Sequence, residues 1–473
     1  MVDIVFVNPP YEQISKGKEY VKRITNRSPS LGLLLLAGQA LQDGYKAQII
    51  ESDLQNLSPE DVADQIININ PKFVGITLFT VGVINASIIA EILKKNAPHI
   101  DIIIGGPHVS SMGLETMEKF SQFDVAVMYE GEQILKTLLT TLENRGSLQD
   151  VQGIIYRNSE KLEITAPPTI MKDLDSLPLP AWNLLPNFPN AYLPAIYDYP
   201  RSPVATFSAS RGCPFKCEFC DTSTFGSKVR YYSPKKVYEI MSYLNNEYNI
   251  RHLQFVDDLF VANNKRVTEL CKLLIENKID MTWSCTARVD TVKPETLELM
   301  KKAGCWEISF GLESGSNEML KNMRKSIVSE QSRQAVRWTS EAGIRVKGLF
   351  MLGYPGETKH SIKQTKEFIK ELPLTTMNLS KFTPYPGSPI YKKLYKTSIK
   401  DEDWEKLNGM NFVCNTDEFT LKELDVEYQE IIETFFKRAS IMLYYTKMSI
   451  SNPIHVVRLL HFFIGFLGEK LKR

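Results

Sequence analysis

An excess of charge of either sign is missing: 56 Lys and Arg stand against 55 Asp and Glu, a net charge of +1 over 473 residues. So even a balance offers no electrostatic footprint for nucleic acid, and no large polyanionic partner is expected. A disulfide framework is missing as well. The seven cysteines are an odd number; three of them crowd one loop, while Cys271, Cys285, Cys305 and Cys414 are scattered and read as small buried hydrophobes. None precedes Cys213. The N-terminal MVDIVFVNPP enters a strand-like run directly, without the basic segment, apolar core and cleavage site of a signal peptide, so the reducing cytoplasm is the expected location. One densely apolar run, Ile454 to Leu467, is shorter than the roughly 20 residues that cross a bilayer.

The length implies two or three domains. From Ile4 to residue 145, short β-branched runs (IVFVN, AQII, FVGITL, DIIIGG, DVAVMY) alternate with helical patterns. This reads as βαβ units around a buried parallel sheet, a doubly wound α/β domain over 1–145. Ligands of such sheets bind outside the carboxyl ends of the strands. That directs attention to Asn8, Pro9 and Pro10, to Thr77 through Thr80, to Gly105, Gly106, Pro107 and His108, and to Tyr129, Glu130, Gly131 and Glu132. The paired glycines let a ligand lie against bare backbone. On these residues alone the domain fits a nucleotide, a flavin or no ligand.

Nine prolines between Pro167 and Pro203 exclude long helices and central strands, so 146–204 reads as a linker with local turns. From Ala205 to residue 395, six strand-like runs are each followed by helix or loop. The simplest closure is a partial (β/α)6 barrel, whose working residues sit at strand carboxyl ends. Asp257 and Asp258, Arg288, Glu313 and Ser314, and Gly353 all fall there. Each alone also reads as a cap of the following helix. Residues 396–473 read as a helical C-terminal region. For its last helix two readings stand: packing on the barrel, or lying on a membrane surface. His455 and His461 are expected on its surface.

The run RGCPFKCEFCDTS, residues 211 to 223, places Cys213, Cys217 and Cys220 in the spacing C-x3-C-x2-C. A four-iron four-sulfur cluster normally takes four cysteines, so three leave one iron with an open position. Zinc knuckles instead pair two C-x2-C elements or add histidines, and no other cysteine here has a neighbour at ligand spacing. The run resembles the radical S-adenosylmethionine (radical SAM) enzymes. The resemblance implies a 4Fe-4S cluster on Cys213, Cys217 and Cys220, whose fourth iron is chelated by the amine and carboxylate of SAM, and reductive cleavage to a 5′-deoxyadenosyl radical. It implies SAM contacts from Phe219 beside the adenine, Asp257 and Asp258 at the amino group, Arg288 at the carboxylate, Glu313 and Ser314 at the ribose and methionine ends, and Gly353 under the adenine. An external one-electron reductant such as flavodoxin or ferredoxin is implied too.

The first domain resembles the cobalamin-binding domain that precedes many radical SAM cores, with NPP, SLGL at Ser30 to Leu33, GGPH and YEGE in the expected order. The resemblance implies cobalamin contacts from Asn8, Pro9, Thr77, Gly105, Gly106 and Glu130. The chain departs from the best-known pattern in having no D-x-H-x-x-G after the first strand, so cobalamin is expected base-off with no protein imidazole below it. The implied function is an enzyme that modifies an unactivated carbon, by methyl transfer in the leading reading and by cyclisation or ring modification in the second. Methylthiolation needs further N-terminal cysteines, and these are missing. A non-catalytic corrinoid-binding sensor would need no radical generator. The expected substrate is a hydrophobic small molecule or lipid-like compound, met at the inner face of the membrane if the last helix lies there.

Overall fold

The computed structural model describes residues 2–11, 24–159, 161–395 and 401–470, the side chains of 401, 402 and 465–470 excepted. Strands β1 (Ile4–Asn8), β2 (Ala47–Glu51), β3 (Phe73–Thr77), β4 (Asp101–Gly105) and β5 (Val125–Val127) pair in parallel in the order 2-1-3-4-5. Their Val, Ile and Phe side chains are buried because both faces are covered. Helices α1 (Leu31–Gln42) and α6 (Glu132–Glu143) pack together over one face, while α3 (Pro59–Ile69), α4 (Val83–Asn96) and α5 (Pro107–Lys119) share the core of the other; α2 (Ser52–Gln55) is one short turn. The chain leaves β1 in opposite directions toward β2 and β3, so the crevice of this doubly wound sheet opens where Asn8 and Thr77 end neighbouring strands.

The stretch read as a linker contains a hairpin. Strands β6 (Ile154–Asn158) and β7 (Lys161–Ile164) extend the sheet antiparallel beyond β5. Its prolines begin at Pro167, past the hairpin, so no ladder donor is lost in β6, and Ile154, Ile155 and Tyr156 are buried.

The second sheet holds β8 (Val204–Phe207), β11 (His252–Phe255), β12 (Thr282–Ala287), β13 (Cys305–Glu313), β14 (Arg345–Leu352) and β15 (Thr376–Lys381), all parallel in sequence order. No pairing joins β15 to β8, so this six-stranded barrel is open on one side. Between β8 and β11 lies a two-residue antiparallel pair, β9 (Ser210–Arg211) with β10 (Arg230–Tyr231). Helices α7 (Pro234–Tyr248), α8 (Asn264–Glu276), α9 (Pro294–Lys302), α10 (Asn317–Asn322), α11 (Ser329–Glu341) and α12 (Lys359–Glu371) surround the sheet. Their starts follow local chemistry: Ser233 accepts from the Lys236 amide with Pro234 behind it, and Thr358 caps α12 reciprocally with Ser361.

After α13 (Pro389–Leu394), Trp404 buries itself against the first domain's α3–α5 face, where its ring centroid lies 4.7 Å from that of His108. Helix α14 (Leu421–Phe436) packs on α12. Helices α15 (Ala439–Ser451) and α16 (Pro453–Lys470) cover the amino-terminal base of the barrel: the Tyr445 and Thr376 hydroxyls are 2.7 Å apart, and Arg345 lies under Tyr444. His455, expected on the surface, is fully buried, its Nε2 3.1 Å from the Tyr199 carbonyl oxygen. The polar side of α16 faces inward, where backbone carbonyls of the 194–200 loop need donors, and Arg458 donates to Pro194 O beside it.

Candidate active site

The cysteine loop is closed at its neck by β9 and β10, which set Arg211 directly opposite Arg230. Like charges facing across a strand pair repel, and here acids from the first domain lie between them. Glu130 meets Arg211 at 2.5 Å and Arg230 at 2.6 Å, and Glu132 takes the other Arg211 nitrogen at 2.5 Å. All four side chains are buried. Glu130, expected at cobalamin, thus has its carboxylate committed to two arginines. Gly212 follows with φ 88°, and a Cβ there would stand 2.5 Å from Lys228 O, so only glycine fits the turn into Cys213.

All three thiols of the loop are free. Desolvation of its sulfur, and then the neighbouring Cys217 and Cys213, push Cys220 up to about 12, although the residue as a whole is exposed. Burial also raises Cys217, against the pull of Lys325 and Arg288. The three sulfurs lie near one another with the Lys325 and Arg288 cations close by, a thiol donor set that fits an iron–sulfur core. Among the described residues no three His, Cys, Asp or Glu are gathered tightly enough to hold a single ion.

Around the loop stand the barrel's strand ends. The Arg288 guanidinium lies 3.5 Å from the Phe215 ring centroid, donates to Asp290 and to Lys325 O, and keeps Nη1 buried with no partner. An orphaned cationic donor beside the cysteines fits a missing carboxylate. Asp258 is exposed, accepts the Gly212 amide and acts on Cys220. Asp257 is instead a buried strut. It accepts from the Ala209 amide at 3.0 Å and from Ser210 Oγ, and burial pushes it up to about 6.

Glu313 sits at a bulge of β13 with φ 61°, an uncommon conformation for a side chain of its size. It pairs at 2.5 Å with Lys325, whose ammonium lies 5.6 Å from the Phe219 ring centroid. Ser314 turns away to Thr365 and the Ser316 amide. A Cβ on Gly353 would stand 2.8 Å from Phe412, so the ring of the C-terminal region occupies that space. Glu357, buried below, accepts from the Gly353 amide and from Ser361, and burial raises it to about 7. In the loop itself Glu218 is gripped by Arg324 and Lys393, each at 2.9 Å.

On the first sheet's carboxyl edge, Asn8 donates to Glu51 at 2.9 Å, and the Ser30 amide donates to the same carboxylate. Pro9 packs against Gly82. Gly106 has φ 103°, with Thr77 Oγ1 and Leu78 O each 3.0 Å from where a Cβ would stand; at Gly105 the nearest atom to a Cβ, Val127 O, is 3.5 Å away. Both glycines are partly exposed, so their backbone is accessible at this edge, while glycine at 106 lets it approach the end of β3 closely. His108 is not free to ligate: its ring nitrogens lie 3.1 Å from Thr80 Oγ1 and 3.0 Å from Thr116 Oγ1.

Sequence reasoning missed Lys325, Arg230 and Glu218 as parts of the site, and missed the pairing of Glu132 with Arg211. Arg211 opens the cysteine run itself and Glu132 closes YEGE, so both were in view without their pairing. Lys325 lies in the short loop between α10 and α11 and carries no local signal.

The radical SAM superfamily model matches residues 207–369 and the B12 binding domain model residues 17–139. Over 446 residues the chain is 29% identical to an uncharacterized methyltransferase of Pyrococcus horikoshii, covering 94% of each chain. It is 27% identical over 448 residues to an anaerobic magnesium-protoporphyrin IX monomethyl ester cyclase of Rubrivivax gelatinosus, covering 93% of this chain and 78% of that one. A radical S-adenosylmethionine methyltransferase from Kitasatospora setae, solved with cobalamin and a 4Fe-4S cluster bound, shares the fold with a TM-score of 0.68 at 16% identity, over 83% of this chain and 75% of that one.

Proposed function

The chain belongs to the radical SAM enzymes that carry a B12-binding domain, and from that premise we propose that it methylates an unactivated carbon of a hydrophobic substrate held between its two sheets. SAM at the iron–sulfur cluster supplies the hydrogen-abstracting radical in such chemistry, and cobalamin supplies the methyl group. Cys213, Cys217 and Cys220 hold the cluster. Asp258 and the unpartnered Nη1 of Arg288 take the amino and carboxylate ends of SAM, with Asp257 bracing the strand ends behind them. Phe219, flanked by the Lys325–Glu313 pair, receives the adenosine end. Ser314 and Gly353 act from behind, one tying its loop to α12 and the other admitting Phe412.

The observation that carries this reading is the buried junction of Glu130 and Glu132 with Arg211 and Arg230. It fastens the carboxyl edge of the first sheet to the neck of the cysteine loop. A substrate between the edges is then within reach of both cofactors, as methyl transfer to a carbon radical requires. Asn8, Pro9, Thr77, Gly105 and Gly106 form the cobalamin floor, and the engaged ring of His108 supports a base-off corrinoid. Large apolar side chains stand exposed at both edges, Phe79 after β3 and Val256 after β11, which supports a hydrophobic ring system or lipid-like substrate. Radical SAM enzymes draw their electron from an external reductant; here we assign that role to a flavodoxin or ferredoxin.

The test compares hosts with and without the protein, grown anaerobically on methionine carrying a trideuteromethyl group, by mass spectrometry of the non-polar extract. Methyl transfer predicts a product that gains the intact labelled methyl. A product that has lost hydrogens and gained no label replaces this reading with ring closure, the chemistry of the Rubrivivax relative.

A further inference from the structure

Helix α16 is built inside out. His455 and Arg458 are buried, Arg458 at 7% exposure with bonds to Pro194 O and the Tyr199 hydroxyl. Val456, Val457, Leu460, Phe463 and Ile464, spaced along the opposite side of the helix, are exposed, Ile464 at 66%. Side chains three, four, seven and eight residues apart share one helix face, so these form a continuous apolar stripe. Neighbouring α15 repeats the pattern with Met442, Leu443 and Ile450, the last at 76% exposure, and Lys447 stands exposed between them. A helix facing only water has no reason to bury arginine and display leucine and phenylalanine.

The sequence says what covers such a face. From Lys437 to Arg473 the chain carries seven basic residues (Lys437, Arg438, Lys447, Arg458, Lys470, Lys472 and Arg473) against the single acid Glu469. The whole chain has a net charge of +1, so the part before Lys437 is net acidic and the excess of positive charge lies at this end. Lys472 and Arg473 lie outside the described residues. No described helix is long and apolar enough to cross a membrane. An apolar stripe too short to span, with Lys447 exposed among its side chains and carried by a segment whose sequence is net basic, suits the boundary of an anionic bilayer. A second copy suits it less, because apposing the same face twice would set cation against cation.

We propose that the outer face of α15 and α16 seats the protein on an anionic lipid surface. The two helices cover the base of the barrel, where β14 and β15 begin, whereas the cysteine loop lies at the opposite end. Seating therefore leaves the active-site mouth open, and the substrate need not be a lipid for the surface to work.

The test is flotation of the full-length protein with vesicles of phosphatidylcholine alone or mixed with phosphatidylglycerol. The wild type floats with the mixed vesicles and stays at the bottom with phosphatidylcholine. The triple variant Leu460→Ser, Phe463→Ser, Ile464→Ser, altered only at exposed positions, stays at the bottom with both and keeps the wild-type melting temperature. Should that variant melt early, Lys447→Glu gives the second measure, expected to lower the floated fraction severalfold. Wild-type protein that stays at the bottom with mixed vesicles overturns the proposal. So does undiminished flotation of Lys447→Glu, or light scattering in which the stripe makes a dimer and no vesicle is bound.

Discussion

The carboxyl edges of the two sheets treat their polar groups in opposite ways. On the first sheet, Asn8 and Glu51 satisfy each other, His108 is engaged at both nitrogens, and Glu130 is closed off by two arginines. What this edge offers a ligand is shape: bare backbone at Gly105 and Gly106 and an exposed Phe79. On the second sheet the groups are left wanting. Three thiols are free, Arg288 has a buried donor without partner, and the Asp258 carboxylate is exposed. A broad macrocycle is recognised by many weak contacts over a surface, a small zwitterion by a few fixed charges. The difference teaches that substitutions at the second edge should act on chemistry and those at the first on fit.

The sharpest contrast is at the cysteines. Cys217→Ala should abolish iron incorporation and 5′-deoxyadenosine formation completely, while Cys271→Ala, deep among the helices, leaves both near wild type. Iron content after anaerobic reconstitution decides it, and full iron in Cys217→Ala would break the assignment. Next comes the junction between the edges. Arg211→Met leaves Glu132 buried without its cation and Glu130 with Arg230 alone, a loss on the order of 3–5 kcal/mol. Adding Glu132→Gln should restore part of it, and denaturant unfolding measures both; a neutral Arg211→Met would mean that the edges are not fastened there. The smallest effect is expected at the first edge. His108→Ala leaves the Thr80 hydroxyl without its partner, while Thr116 keeps its bond to Met112 O, at a cost of about 1–3 kcal/mol, yet the electron paramagnetic resonance of bound Co(II) should show no axial nitrogen before or after the change. An axial nitrogen that vanishes with His108 would end the contrast between shape and charge.

Much of this was legible in the sequence. The strands of both sheets announced themselves as β-branched runs followed by turn residues, and the cysteine spacing pointed to the family whose domain models the chain matches. Pairings over long separations were not. Glu130 and Arg211 are 81 residues apart and Glu132 and Arg211 79, and nothing local says that one motif closes on the other. Proline density hid the β6–β7 hairpin, because the composition of the wider window outweighed a short alternating run without proline. His455 misled for a different reason: helical periodicity assigns polar residues to solvent, and α16 reverses that rule where loop carbonyls need donors.

Trp404 carries a consequence for the order of assembly. The first domain leaves the ribosome first, yet its α3–α5 core is completed by Tyr391, Trp404 and Leu407, which arrive after the entire barrel. At about 5–20 residues per second, the stretch from the end of α5 to Trp404 takes roughly 15 to 60 seconds to synthesise. Throughout that interval the face around His108 waits without its lid, so the early domain is a nascent client for chaperones rather than a finished receptor. The corrinoid would then be acquired after translation, by a protein whose two halves have already met.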